Sequence, residues 1–232
     1  MLTEKEAHRL ADAIQSWLDF QILCDRDVLL SEAYLAQPLG EFLVSNHSGG
    51  IESEKKHPSV PNPKRGRPRQ IDYVLTSKDK GDLVSALEAK WIPEDRQVSR
   101  QRILDDVMRL ERLRNDSGRS AYRYFLVAGR SKCFNDNFLD LQYNGENGRE
   151  RFLDKILPLE KGGKHVRVDE SGVGLNRFYS SYIEKYSSDD TRVLPPKSYK
   201  ATLITDKTDE KSRVMIWRIK SVGKRAEISI GA

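Results

Sequence analysis

Three residues of this 232-residue chain combine types and spacing that could do chemistry together: Asp72, Glu88 and Lys90. Glu88 and Lys90 are two apart, so on a strand both point to one face. Two carboxylates in reach of each other can hold Mg²⁺. The ion would stabilise charge on the attacking and leaving oxygens of a phosphodiester and lower the pKa of a bound water. A neighbouring ammonium suits the same reaction, because it can orient that water or neutralise charge developing on the phosphorus oxygens.

The flanking residues supply strands to carry these groups. Residues 70–75 and 87–91 are two β-forming runs, and Ser77-Lys78-Asp79-Lys80-Gly81 between them is turn chemistry. An antiparallel hairpin follows. With its turn centred near Asp79 and Lys80, residue 72 falls across from about residue 87, within one residue of Glu88. Before the hairpin, residues 3–20 have a helical period, with a Thr3/Glu6 capping box and Leu10, Ile14, Trp17 and Leu18 on one stripe. Residues 28–44 are also helical in pattern, and Pro38 is expected to kink or divide them. After the hairpin, residues 99–114 place Ile103, Leu104, Val107, Met108, Leu110 and Leu113 on an apolar face. Arg100, Asp105, Arg109 and Arg112 are expected on a solvated one. Residues 122–128 then form a buried strand ended by Gly129.

This order of helix, strands, helix and strand, with Asp72 and the Glu88-Ala89-Lys90 triplet, resembles the core of the PD-(D/E)XK restriction-endonuclease-like superfamily. Ile71 stands where the family motif has proline, a position that is not a ligand. The resemblance covers roughly residues 28–130. It implies an α/β fold whose central mixed sheet is flanked by helices, and a Mg²⁺-dependent nuclease in which Mn²⁺ can substitute. Asp72, Glu88 and Lys90 would be catalytic, and the metal would be held by Asp72, Glu88 and the Ala89 backbone carbonyl. A glutamate from the helix before the sheet would complete the site, with Glu32 preferred over Glu41. Gln97 and Gln101, near the following helix, are weaker candidates. DNA is the implied substrate, and restriction or defence against foreign DNA the implied role, although repair enzymes share the core.

The composition permits this reading. The formal charge is +5, and from Lys55 to Gln70 there are several basic residues and no carboxylate, a footprint suited to phosphate. Lys64, Arg65, Arg67 and Arg69 are the expected nucleic-acid contacts. Residues 65–68 read Arg-Gly-Arg-Pro, similar to the centre of an AT-hook. A basic loop is the preferred reading, because the segment abuts an apolar strand. Pro58, Pro61, Pro63 and Pro68 argue for a loop over 46–69, with a short strand around Ile51. Cys24 and Cys133 provide neither a disulfide framework nor a metal-ligand spacing, so a reduced, cytoplasmic setting is expected. The N-terminus resembles neither a secretory signal nor a membrane span.

One domain, 1–232, is the economical reading. Beyond residue 133 the sequence suggests a turn at 144–148, a short helix at 149–157 and a C-terminal β-hairpin from strands at 199–205 and 213–222, read as an addition to the core. Trp217 is expected in the core. The four histidines are dispersed, and no zinc cluster, nucleotide loop or serine-hydrolase elbow is present. Two other function classes stay open: a non-catalytic module that holds DNA through Arg-Gly-Arg-Pro, and an RNA nuclease or subunit of a larger defence complex. A homodimer is compatible with any of these.

Overall fold

The computed structural model describes residues 2–57, 70–113, 121–145, 148–160, 162–167 and 198–222. Helix α1 (Glu4–Leu23) begins with the expected capping box: Thr3 Oγ accepts from the Glu6 N–H, and the Glu6 carboxylate accepts from the Thr3 N–H. Its buried stripe includes Leu10, Ile14 and Leu18. A short 3₁₀ turn, Asp27–Leu29, takes the start of the next segment. Helix α2 (Glu32–Asn46) follows, capped by Ser31, whose hydroxyl accepts from the Tyr34 N–H at 3.2 Å. Pro38 does not divide this helix. It removes one backbone donor, but burial of Leu35, Leu39 and Leu43 holds the helix together across it.

The strands are β1 (Ile51–Lys56), β2 (Gln70–Thr76), β3 (Leu83–Ile92), β4 (Tyr122–Arg130), β5 (Gln142–Gly145), β6 (Gly148–Arg151), β7 (Gly162–Arg167), β8 (Ser198–Thr208) and β9 (Ser212–Ser221). Helix α3 (Arg100–Arg112) joins β3 to β4, and the short helices α4 (Ser131–Phe134) and α5 (Phe152–Ile156) follow β4 and β6. Among the described residues seven strands form one sheet in the order β1-β2-β3-β4-β9-β8-β7, while β5 and β6 form a separate hairpin. β3 and β4 are parallel, as a helical crossover requires, and every other pairing is antiparallel.

The fold is therefore α/β with a mixed central sheet. Its C-terminal hairpin is not an addition: β9 pairs with β4, and the hairpin continues the same sheet. Gly129 does not end β4 either. It lies within the strand opposite Ile92, where a Cβ would come 2.8 Å from the Ile92 Cβ, so this close approach requires glycine.

Helices α1 and α2 cover one face of the sheet over a core containing Leu87, Ala89, Trp91, Leu126 and Ile216. Helix α3, with α4 and α5, covers the other, over Ala86, Phe125, Val127, Met215 and Trp217. Trp217 is buried, and its indole N–H donates to the Pro158 carbonyl at 2.7 Å. Among the described residues no helix is long and apolar enough to cross a membrane.

Candidate active site

The alignment of the two strand acids depends on a β-bulge. At the turn end of the hairpin Thr76 pairs with Leu83, a register that would carry Asp72 to Leu87. The next rung is Leu75 with Ser85, so Val84 is an extra residue in β3 and the register moves by one. From there Tyr73 pairs with Leu87, the last rung of this ladder, and continuing the same register sets Asp72 opposite Glu88. In that register Asp72 falls beside Glu88 and Lys90, and the charges act on one another: Asp72 feels Lys90, and Glu88 feels Asp72. Leu87 and Ala89 belong to the core under α1 and α2, and Ala86 to the core under α3; Glu88 and Lys90 therefore face α3.

Each of the three groups has a defined partner. Asp72 Oδ2 accepts from the Ala89 N–H at 2.8 Å, in place of a further rung of the β2–β3 ladder. A strand residue directs its N–H and C=O to the same neighbour, so the Ala89 carbonyl lies on the Asp72 side of β3. Glu88, only 2% exposed, receives a fork from Arg109: Nε to Oε1 and Nη2 to Oε2, both 3.1 Å. Lys90 Nζ lies between two carboxylates, 3.0 Å from Glu32 Oε2 and 3.0 Å from Asp106 Oδ2. Asp106 Oδ1 in turn accepts from Arg109 Nη2 at 2.6 Å.

Glu32 reaches the site because Ser31 starts α2 there, and its charge also suits the positive end of the helix. The preceding turn is held by Arg130, at the end of β4, which donates to Asp27 at 2.6 Å and Glu94 at 3.1 Å. Glu41 is exposed on α2 and accepts from Gln37 instead. Gln97 donates to the Asp136 carbonyl and Gln101 to Asp105, and neither contact is to Asp72, Glu88 or Lys90.

The polar face of α3 is not solvated as expected. Asp105, Asp106 and Arg112 are buried, and Arg109 is turned onto Glu88. Asp106 and Arg109 are the two site residues that the sequence reading missed. The signal was present: at about 100° per residue, Asp106 falls within the apolar arc, between Leu110 and Leu113. A charge there must be buried, and it needs a partner.

Burial pushes the Asp72 carboxyl above its ordinary range; the Ala89 N–H opposes this, while the nearby charges of Asp106 and Glu32 add to it. Burial likewise raises Glu88, against the pull of Arg109. For Lys90, burial works to lower the pKa, but Asp106 and Glu32 overcome it and hold the ammonium above the ordinary lysine value. With all groups ionised, Glu32, Asp72, Glu88 and Asp106 leave two negative charges over after Lys90 and Arg109 are counted.

That excess and the all-oxygen donor set fit a hard divalent cation. Among the described residues no three His, Cys, Asp or Glu side chains form a ready-made metal cage. Mg²⁺ does not require one, since it keeps several waters and commonly binds through one or two carboxylates. A cavity of about 460 Å³ is lined by Asp72, Ala89, Glu32 and Glu54, and another of about 790 Å³ by Glu32, Lys90, Trp91 and Arg102. Lys64, Arg65, Arg67 and Arg69 lie outside the described residues.

Compared with known proteins, the chain matches no family model, and no curated protein or solved structure matches it at a significant level.

Proposed function

We propose that the chain is a Mg²⁺-dependent nuclease with a restriction-endonuclease-like core, cutting phosphodiester bonds in DNA. The observation that carries this reading is the convergence of Asp72, Glu88 and Lys90 at the β2–β3 hairpin, with Glu32 reaching in from α2 and Asp106 from α3, so that four carboxylates outnumber two cations. Asp72, Glu88 and the Ala89 carbonyl would hold Mg²⁺ or Mn²⁺, with Glu32 beside them. The bound ion would supply an activated water and stabilise the leaving oxygen.

The protein's own groups do the rest. Lys90, kept protonated by Asp106 and Glu32, presents a fixed positive charge to an incoming phosphate and to the water that attacks it. The Ala89 N–H fixes the Asp72 carboxylate in one orientation. The 64–69 basic segment, directly before β2, would hold the DNA backbone, and a role in defence against foreign DNA accords with the family resemblance.

One observation favours a non-catalytic DNA-binding module instead: both oxygens of Glu88 are already engaged by Arg109. A plasmid-nicking assay separates the two. Nicking that requires Mg²⁺ or Mn²⁺ and disappears in Asp72→Asn and Glu88→Gln supports the nuclease. Metal-independent DNA retention without nicking supports the module.

A further inference from the structure

Arg109 is a feature of the site that a simple two-carboxylate metal centre does not call for. Its guanidinium occupies both oxygens of Glu88 at 3.1 Å and one oxygen of Asp106 at 2.6 Å, while its own side chain is largely shielded from water. Two parallel N–H donors matched to a carboxylate make a strong and geometrically specific pair. A carboxylate so engaged offers a metal little, and Glu88, being 2% exposed, has no room to serve both ions through solvent. Yet a buried carboxylate that loses its counter-charge must gain another or take up a proton.

Arg109 also has a second anchor. It sits in the last turn of α3, three residues from Asp106, and the Asp106 carboxylate also pairs with Lys90. Asp106 can therefore keep hold of the guanidinium while Glu88 releases it. The same planar fork that fits a carboxylate fits a phosphate.

We propose that Arg109 is a built-in counter-ion that competes with the divalent cation for Glu88 and transfers to a backbone phosphate when nucleic acid binds. This rests on the nuclease reading above. It makes the resting site self-neutralised and couples metal loading to substrate: each ligand frees the place the other needs, so by linkage each strengthens the other.

The test is calorimetric titration of Mn²⁺ into the full chain, with folding checked by circular dichroism, and does not depend on cleavage. Arg109→Gln should bind Mn²⁺ about tenfold more tightly than the wild type, with Arg109→Lys, which keeps the charge without the fork, in between. A saturating 12-base-pair duplex with phosphorothioate linkages should tighten Mn²⁺ binding several-fold in the wild type and much less in Arg109→Gln. Equal or weaker Mn²⁺ binding by both variants, or equal tightening by the duplex in all three proteins, overturns the proposal. If the wild type nevertheless binds Mn²⁺ and loses it in Asp72→Asn, the nuclease reading survives that failure. If no folded protein of the set binds Mn²⁺, both readings fall.

Discussion

The register that ends with Tyr73 opposite Leu87 carries Asp72 to Glu88 because β3 has one residue more than the turn requires, Val84. Without it, Asp72 would pair with Leu87 and point to the opposite side of the sheet from Glu88. The site is thus specified by a local irregularity as much as by the acids themselves.

The two acids should separate chemistry from folding. In Asp72→Asn the amide oxygen can still accept from the Ala89 N–H, while the repulsion from Asp106 and Glu32 is relieved. The melting temperature at pH 7.5 should stay level or rise, and DNA binding should persist. Single-turnover cleavage should fall at least about a hundredfold, the scale of losing a main electrostatic contact to the transition state. A mutant that cuts at the wild-type rate would remove Asp72 from the reaction.

Lys90 is expected to matter for both rate and stability. Lys90→Ala leaves Asp106 buried with one fewer cation and should cost about 2 kcal/mol in urea unfolding. Cleavage at saturating DNA should drop by orders of magnitude, with affinity changed much less and Lys90→Arg restoring little. Double-mutant cycles should give a larger coupling to Asp106, which is buried, than to Glu32, which is half exposed.

Neutralising Lys64, Arg65, Arg67 and Arg69 together should weaken DNA binding alike on A·T-rich and G·C-rich duplexes. The plot of log K against log salt should become shallower by about 0.9 for each phosphate contact removed. Selective loss on A·T-rich duplexes would instead mark Arg65 and Arg67 as minor-groove residues. An unchanged slope would take the segment off the binding surface.

A separate acid pair gives a pH dependence far from the site. Burial and the neighbouring Asp209 raise the Asp19 carboxyl, which accepts from Ser212 Oγ at 2.7 Å. Asp209 is lowered: burial opposes this, and Asp19 together with the N–H groups of Ser212 and Lys211 outweighs it. Because folding raises Asp19, its contribution to stability is present at low pH and is lost as pH rises through its folded-state value. Asp19→Asn, which can accept from Ser212 and donate to Asp209, should therefore raise the melting temperature at pH 7. That gain should shrink towards pH 3; a constant difference across this range would show that folding does not raise the Asp19 carboxyl.

Much of the framework was legible because it is local. The Thr3/Glu6 capping box, the 77–81 turn and the 70–75 strand act over a few residues, and the structure reproduces each. What escaped depends on contacts distant in sequence. Pro38 breaks an isolated helix, yet α2 continues because the sheet beneath it supplies the missing stability. The role of Arg109 could not be read without knowing that β3 presents Glu88 to α3. The place of the terminal hairpin likewise depends on β4 having an open side for β9.

That last pairing decides how far the chain can be shortened. β4 carries the consecutive buried residues Tyr124, Phe125, Leu126, Val127 and Ala128, and β9 bonds along this whole stretch. A fragment ending after β4 would keep every acid of the site but present a long apolar edge strand with unsatisfied backbone groups. Such an edge is a template for pairing with another molecule of the same kind. The C-terminal hairpin is the intramolecular partner that covers this edge, and a chain cut before it is expected to self-associate.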